Sequence, residues 1–545
     1  MCDLNFVPAF HLLTIVPVIT ALSNHSMVYT ILYMQRVNRI ISSMLVSIIL
    51  GISVYLFIEK YRMGMFRYFD MDELAYLNWT AHMVQGALPY RDFLMQAGPG
   101  FLFLLAPIFW ISNSLVVPFF GGRIMAFCVF FLLSIVVSVL FFIMRKRWTA
   151  VFIPFLLVFL PMPADKFLEI RPDTTALLFV MVGTVFQVLW MKNIDEKKQE
   201  IILFLSGFSY GISLLFMQKT FFHVAIAGIV IFVWARMHKR TIVPCMVGGG
   251  LIGLLLLSWG IVTNNVGTLF YSIVTMPMEL GNMAKIYAIP SLFYFRYIDI
   301  YYGISGWNWG FILNQSIWIA GLVIGGVRFI WSLLHLSRKE NQLELFVSIL
   351  FITQVLTFLF IMPFKHAQYL IPIAVFVVFY VADGINLFWT YAKRSMYTMV
   401  LFVFCLSVFL FLCIRGYHDI NDIKYTWTNA TNQGDIAMAQ LLFQTIPKTE
   451  FVFDMVGLTL YYPQPYVLSL APGQIREYVS RRFPPLIQAL EKTNTKYIYQ
   501  GSAKRVSTFS WEEQQYMYSH FTPIGDGSIL VRNDTIDAYT RLWNR

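Results

Sequence analysis

The stretch FRYFDMDELAYLNWTAHMVQGALPYRDFLMQAGPG, residues 66–100, concentrates acidic residues within an otherwise apolar part of the chain. Asp72 and Glu73 open a predicted helix, because the apolar residues after them recur on helical spacing, at Ala75, Tyr76, Trp79 and Met83. Carboxylates at a helix N-terminus are stabilised by the helix dipole. Helix capping therefore explains the acidic pair as readily as a catalytic role does, and the rest of the sequence has to decide between them.

The sequence around this stretch is strongly apolar. Of the 545 residues, 58% are hydrophobic and only 13% are charged, and the mean hydropathy is +0.65. A soluble protein of this length needs more charge to cover its surface, so the apolar excess must face lipid. The sequence thus predicts an α-helical polytopic membrane protein.

Eleven segments are predicted to cross the membrane, each by the criterion of about 20 mostly apolar residues. They lie at 40–58, 120–143, 149–163, 174–191, 200–217, 220–235, 242–263, 308–331, 344–363, 368–390 and 396–414. The segment 98–117 is predicted not to cross, because prolines and glycines near its ends favour a juxtamembrane or re-entrant helix. The transmembrane unit is placed at 34–415, with a first outer loop at 59–119. Residues 1–33 are either a peripheral segment or an upstream mis-start.

Basic residues cluster in the short connections between spans, and a count of eleven puts every dense cluster on one side. The clusters are Arg36 with Arg39, Arg145 to Arg147, Lys192 with Lys197 and Lys198, Arg236 with Lys239 and Arg240, Arg338 with Lys339, and Lys393 with Arg394. This positive-inside pattern accounts for the formal net charge of +11 without a nucleic-acid partner. It also places the N-terminus inside and the C-terminal region outside.

Residues 416–545 are more polar and are predicted to form a small extracytoplasmic α/β domain. Helices are expected at 432–446 and 474–492, and short strands at 450–454 and 496–500. The chain contains neither a GxxxxGK[ST] loop nor an HExxH helix, so ATP-driven transport and zincin chemistry have no support.

Three further outer connections carry charged residues at the ends of spans. Each has an ordinary explanation: a solvated turn with an Arg–Asp pair, a snorkelling lysine, or a hydrogen-bonded interfacial histidine. Ionisable residues near the membrane are nevertheless costly, which makes them functional-site hypotheses. They are Arg171 and Asp173 in ADKFLEIRPDTTA (164–176), Lys219 in FMQKTFFH (216–223), and Lys365, His366 and Tyr369 in MPFKHAQYLIPI (362–373).

The first loop resembles that of the GT-C superfamily of glycosyltransferases, in particular the branch of protein O-mannosyltransferases and the aminoarabinose transferase acting on lipid A. The resemblance rests on D-E-x-x-Y and, after a helix, G-x-x-P-Y-x-D-F, here Asp72, Glu73, Tyr76, Gly86, Pro89, Tyr90, Asp92 and Phe93. It covers the chain to about residue 220 and later rests on topology and one short motif. Gly98-Pro99-Gly100 stands where the family usually has a Pro-Pro pair.

This resemblance implies an inverting transfer of a sugar from a polyprenyl-phosphate carrier to an acceptor hydroxyl outside the membrane. Asp72 would be the general base that takes the hydroxyl proton, with Glu73 beside it. A departing lipid phosphate needs cations to hold its developing charge. The donor and its phosphate would be held by Asp173, Arg171, Lys219, Lys365, His366 and Tyr369.

The partners implied are a polyprenyl-phosphate-linked sugar, an acceptor that is a glycan, a lipid or a protein, and the lipid bilayer, in the bacterial inner (cytoplasmic) membrane. No metal ligand set is defined, and a divalent cation is left open where two carboxylates converge. Two alternatives remain. A transporter or flippase of lipid-linked sugars would place charges near the midplane, and a glycan polymerase or ligase would rely on a large outer loop late in the chain.

Overall fold

The computed structural model describes residues 12–111, 114–160, 166–192, 198–279, 309–362, 367–428, 431–471, 476, 479, 482–501 and 503–537. Its apolar part is almost entirely helical, because lipid offers backbone N–H and C=O groups no other partner. The helices are α1 (Leu12–Phe66), α2 (Met71–Val84), α3 (Gly100–Ile111), α4 (Val117–Arg145), α5 (Phe152–Phe159), α6 (Pro172–Lys192), α7 (Gln199–Phe216), α8 (Phe221–Met237), α9 (Val243–Val262), α10 (Val266–Phe270), α11 (Trp309–Leu334), α12 (Lys339–Leu356), α13 (Ile371–Ala392) and α14 (Met396–Thr428). Short 3-10 helices occur at Trp148–Val151, Lys166–Leu168, Gln218–Thr220 and Ala367–Leu370, and π-helices at Tyr271–Thr275 and Thr357–Ile361.

Ten of the eleven predicted spans are confirmed, within the described residues, as helices long and apolar enough to cross a bilayer. They are α4, α6, α7, α8, α9, α12, α13, the part of α1 from Asn38, the part of α11 from Gln315 and the part of α14 up to Arg415, with the adjoining 3-10 or π turns of α8, α12 and α13 included. From Leu12 onward the segment predicted to be separate, 1–33, is helical and continuous with the first span.

The helix bundle has two chemically different ends. One end, called the site end because the charged residues singled out in the sequence lie there, contains the ion pair of Lys166 Nζ and Asp70 at 3.5 Å. At the other, called the basic end, the rings of Trp148 and Trp389 meet edge to face at a centroid distance of 5.3 Å, and Lys393 Nζ lies 5.8 Å from the centre of the Trp389 ring.

The eleventh predicted span, 149–163, is a short pass through the protein interior. Trp148 lies at the basic end and Lys166 at the site end, so the chain between them runs from one end of the bundle to the other. Its helix, α5, has eight residues, all buried except Pro154. With the 3-10 turn Trp148–Val151 that precedes it, the helical stretch Trp148–Phe159 rises about 20 Å, short of the hydrocarbon thickness of about 30 Å.

The first outer loop folds into two short helices that remain at the site end. A capping box opens α2: the Asp70 side chain accepts a hydrogen bond from the Asp72 N–H at 3.0 Å, and the Glu73 side chain accepts one from the Asp70 N–H at 2.9 Å. Helix α3 has twelve residues with Pro107 inside it, and both its ends lie at the site end: Gly100 packs on Leu215 near the end of α7, and the Phe109 ring lies 6.4 Å from the Tyr461 ring of the C-terminal region. The segment 98–117 therefore stays on one side, as predicted.

The Gly98-Pro99-Gly100 turn brings the first loop against the backbone of α7. A Cβ atom on Gly98 would collide with the Leu215 carbonyl, and one on Gly100 would lie 2.9 Å from the Leu215 side chain. Glycine allows this close backbone approach. The turn that departs from the Pro-Pro pattern thus fixes the first loop to the site end of α7.

The C-terminal unit, residues 431–537, is called the outer unit after the side of the membrane predicted for it, and its described residues form an α/β fold with a mixed four-stranded sheet. Its elements are α15 (Gln433–Thr445), β1 (Val452–Asp454), α16 (Leu486–Lys492), β2 (Tyr497–Tyr499), α17 (Ala503–Val506), α18 (Trp511–His520), β3 (Phe521–Ile524) and β4 (Ile529–Arg532). The strand order is β1-β2-β4-β3, with β1 and β2 parallel and the other pairs antiparallel. Helix α14 continues to Thr428, so the domain boundary predicted at 416 lies within a helix.

A loop of the outer unit contacts α2 through two hydrogen bonds. Asp454, fully buried, accepts hydrogen bonds from three backbone N–H groups and one hydroxyl of residues 456–459, at 2.6 to 2.8 Å. The Thr459 carbonyl of this loop accepts a hydrogen bond from the Asn78 side-chain amide at 3.2 Å, and the Tyr462 carbonyl accepts one from the His82 ring at 2.8 Å. Helix α2 is therefore clamped between the bundle and the outer unit.

Candidate active site

Asp72 lies in the first turn of α2, at the surface of the site end. Its side chain is 49% exposed, and Oδ2 accepts a hydrogen bond from the Arg171 guanidinium. Within the described part of the chain, the other carboxylate oxygen, Oδ1, has no hydrogen-bond donor. Asp72 thus presents one fixed oxygen and one oxygen able to accept a proton.

Arg171 links Asp72 to the other charged residues predicted from the sequence. Its Nε donates to Asp173 Oδ2 at 3.3 Å, while its guanidinium is almost fully buried. Lys219 Nζ donates to Asp173 Oδ1 at 3.4 Å and lies 4.2 Å from the centre of the Tyr369 ring. Residues 72, 171, 173, 219 and 369, predicted from four separate segments, therefore meet in one continuous chain of contacts.

Lys365 and His366, which were also predicted to hold the phosphate, lie outside the described residues. They remain predictions. The described Tyr369 sits a few residues further on, in the 3-10 turn that enters α13, with its ring against Lys219.

A cavity begins at Lys219 and runs into the bundle between α6, α8, α12 and α13. The cavity is small, about 40 Å³, and most of its lining is apolar with a few polar groups. The lining residues that matter here are Asp173, Lys219, His223, Gln354, Phe358 and Tyr369. Deeper in the cavity wall the two ring nitrogens of His223 contact Gln354 at 3.1 Å and Thr184 at 3.3 Å. The arrangement offers a cation at the mouth of a small, largely apolar cavity.

Glu73 occupies a different environment from its neighbour Asp72. It is fully buried, and the Arg123 guanidinium binds it twice, through Nε at 3.0 Å and Nη2 at 2.8 Å. The backbone N–H groups of Ile170 and Asp70 donate to the same carboxylate at 3.1 and 2.9 Å. Both oxygens are therefore engaged in joining α2 to α4 and to the loop before α6.

Two buried arginines complete the site and were missed in the sequence analysis. Arg67 pairs with Glu169, which also accepts from Lys166 at 2.6 Å. Arg123 binds Glu73 and the backbone carbonyls of residues 64, 67 and 68. A signal for Arg123 was present, because it is a single charge within the predicted span 120–143, and such charges face the protein interior.

Burial and neighbouring charges shift the pKa values of several groups in this cluster. Burial raises the pKa of Asp70, but Lys166 and Arg171 outweigh it and lower the pKa to about 2. Burial opposes the charge on Arg171 as well, yet Asp72 and Asp173 hold its pKa well above the ordinary value. Glu169 is the exception: burial raises its pKa in spite of Arg67.

The described residues define no metal site, and the divalent cation that the sequence left open stays a prediction. Among the described side chains, no group of three His, Cys, Asp or Glu residues could hold a metal ion. Asp72 and Asp173 both bind Arg171, so a guanidinium takes the place between the two carboxylates where a cation would have to sit. We assign no reaction step to a metal.

Comparison with known proteins gives a match in structure alone. No protein-family model matches the sequence, and no curated protein matches it significantly. ArnT from Cupriavidus metallidurans in the apo state superposes with a TM-score of 0.54 at 13% identity, over 90% of this chain and 98% of ArnT. The same protein bound to undecaprenyl phosphate gives 0.49 at 11% identity, over 89% and 97%. The Archaeoglobus fulgidus oligosaccharyltransferase, in complex with Zn and sulfate, gives 0.50 at 12% identity, over 90% and 73%.

The apo ArnT superposition covers nearly the whole of both chains. Identity this low carries information about fold only. The resemblance seen in the first-loop residues is thereby confirmed at the level of architecture: the chain has the GT-C fold, a polytopic helical membrane unit with a small C-terminal α/β unit.

Proposed function

We propose that this protein is an inverting glycosyltransferase that moves a sugar from a polyprenyl-phosphate carrier to an acceptor hydroxyl. The observation that carries the proposal is the chain Asp72–Arg171–Asp173–Lys219 at the mouth of the cavity. It presents a carboxylate oxygen that can accept a proton at one end and a cation at the other. An inverting displacement needs these two groups, because the nucleophile and the leaving group lie on opposite sides of the reacting carbon.

In the reaction, Asp72 Oδ1 takes the proton of the acceptor hydroxyl as the hydroxyl oxygen bonds to the anomeric carbon. The bond between that carbon and the phosphate oxygen breaks, and its electron pair leaves with the phosphate. Lys219 balances the resulting charge. Arg171 fixes the rotamer of Asp72, and Asp173 holds Arg171 and Lys219 at a set spacing.

We place the donor phosphate against Lys219 and the start of its lipid chain against the apolar residues near the cavity mouth, because the cavity itself, at about 40 Å³, is too small to hold the chain. ArnT, which shares the fold, binds undecaprenyl phosphate, and that ligand has the chemistry this cavity offers. Lys365 and His366 are proposed as further phosphate ligands. The site end is assigned to the extracytoplasmic side of a bacterial inner membrane, because the basic clusters lie at the other end. The acceptor is a glycan, a lipid or a protein.

The test uses the full-length protein in lipid nanodiscs with radiolabelled polyprenyl-phosphate sugars. Asp72→Asn should lower kcat at least about 100-fold, the usual size of general-base catalysis. Asp92→Asn is the matched control, since Asp92 is a first-loop carboxylate that pairs with Arg91 at the surface. Lys219→Gln should raise the KM for the donor.

A folded Asp72→Asn variant with full activity would exclude Asp72 as the base. If the wild type moves intact lipid-linked sugar across vesicles without cleaving it, the transporter alternative replaces the proposal. A product with a retained anomeric configuration would exclude the single-displacement mechanism.

A further inference from the structure

The outer unit exposes large aromatic side chains at one place only within its described residues. Trp511 is 72% exposed and Tyr518 is 51% exposed, and no other large hydrophobic residue of the described part of 431–537 is exposed. Both belong to α18, and they are seven residues apart. Two helical turns separate them by about 10 Å along one face of the helix.

Polar side chains surround these two rings. Gln514, Gln515 and Ser519 lie on the same open face of α18 as Trp511 and Tyr518. Side-chain amides and hydroxyls both donate and accept hydrogen bonds. This combination of flat rings with amide and hydroxyl groups matches a sugar, which has an apolar C–H face and a rim of hydroxyl groups.

Helix α18 leads away from the catalytic residues. The Arg505 guanidinium, just before α18, contacts the sulfur of Met71, the residue next to Asp72, with Nε at 3.1 Å and Nη2 at 2.6 Å. At its C-terminal end α18 continues directly into β3, which lies at the opposite edge of the sheet from β1. The loop that contacts α2 follows β1. Trp511 therefore stands at the end of the helix nearer the site, and Tyr518 at the end further from it.

The other occupants of such a face fit less well. A membrane anchor would combine the aromatic residues with exposed aliphatic side chains, and the described part of the outer unit exposes none of the large ones. A second copy of the chain would need about 800 Å² from each partner, whereas two aromatic side chains supply a few hundred at most. A chain of sugars needs only a narrow strip with ring contacts at intervals.

We infer that this face of α18, formed by Trp511, Gln514, Gln515, Tyr518 and Ser519, binds the acceptor, and that the acceptor is an oligosaccharide. The inference rests on the proposed glycosyl transfer and names its substrate class. Sugar rings stack on Trp511 and Tyr518, and the chain end reaches past Arg505 to the free oxygen of Asp72. The two ring contacts act as an extended acceptor subsite outside the membrane.

The test measures binding of tetrasaccharides of glucose, mannose and N-acetylglucosamine to the full-length protein in nanodiscs by saturation-transfer NMR. At least one should bind the wild type. The double variant Trp511→Ala with Tyr518→Ala should bind it about tenfold more weakly, as expected for loss of two ring contacts. Trp110→Ala is the matched control, because Trp110 is 71% exposed but lies on α3.

Equal binding by the wild type and the double variant overturns the inference, and so does the absence of binding by all three tetrasaccharides. A change in oligomeric state or in lipid association on substitution, with sugar binding intact, assigns the face to a second copy or to the bilayer instead. The double variant keeps Asp72 and Lys219. Donor binding in that variant therefore reports on the proposed function separately from the acceptor face.

Discussion

Asp72 and Glu73 are adjacent in the sequence, but their side chains lie in different surroundings on α2. Successive residues in an α-helix are rotated by about 100°, so one of the pair can point to solvent while the other points into the protein. Asp72 is half exposed and Glu73 fully buried. We propose that Asp72 does the chemistry and that Glu73 is a positioning residue, which fixes the angle of α2 through Arg123.

At the residue scale, Glu73→Gln should destabilise the protein by about 3 kcal/mol or more, because it leaves the buried Arg123 guanidinium without its counter-charge. The melting temperature in detergent should fall, while Asp92→Asn, an exposed control, should melt like the wild type. The activity of the Glu73→Gln molecules that remain folded should exceed that of Asp72→Asn. An unchanged melting temperature with activity lost as fully as in Asp72→Asn would instead give Glu73 a part in the chemistry.

The sequence could nominate these two residues but could not separate their roles. Which side of α2 faces inward depends on Arg123, fifty positions later, and on the loop before α6. Contacts between distant segments leave no mark on local spacing. Lys219 was easier to single out as a candidate, because it is a lone lysine between two apolar runs.

At the scale of elements, α2 depends on the outer unit as much as on the bundle. His82, near its C-terminal end, is buried and contacts the Tyr462 carbonyl. Burial lowers the pKa of His82 below its ordinary value, against the opposing effects of that carbonyl and Asp454. The folded state therefore holds this imidazole in its neutral form.

Acidification should loosen this contact. In the unfolded chain His82 takes up a proton as the pH falls through about 6.5. In the folded chain it does so only at lower pH, so the stability from the neutral ring is present above that value and lost below it. The melting temperature should fall between about pH 7.5 and about pH 5.5, and by less in His82→Gln, which keeps a donor near the Nε2 position. Parallel falls in both proteins would assign the effect to another group.

At the scale of the whole molecule, a second buried charge cluster lies far from the site end. Arg145 pairs with Glu344 at 2.6 Å and with Asp383 at 2.7 Å, and Arg328 binds the other oxygen of Asp383 at 2.7 Å. Helices α4, α11, α12 and α13 each contribute one of these residues. The two cations and two anions balance, so the cluster fastens four helices at no net charge.

Asp383→Asn should therefore lower the melting temperature strongly, by the equivalent of about 3 kcal/mol, since it leaves two guanidinium groups short of a partner. Glu340→Gln, which alters an exposed carboxylate in the first turn of α12, is the control and should melt like the wild type. Donor affinity of the folded fraction should not change. A selective loss of donor affinity without a loss of stability would point to a role in the reaction.

Hydropathy located the spans because lipid imposes the same length and composition on each of them. Hydropathy predicted fewer of the elements of the outer unit. The sequence indicated β1 and β2, but β3 contains Pro523 and lies at the sheet edge, where proline is tolerated and the strand pattern is weak. It also could not foresee that α5, though apolar, would be only eight residues long.

The brevity of α5 bears on how the chain is threaded into the bilayer during synthesis. A segment enters lipid on its own merit when about 20 apolar residues stabilise it there. The apolar helical stretch Trp148–Phe159 falls short of that length, and it is buried among neighbouring helices. We therefore expect its insertion to depend on the helices that pack around it, so that this crossing and the orientation of the helices after it are set cooperatively.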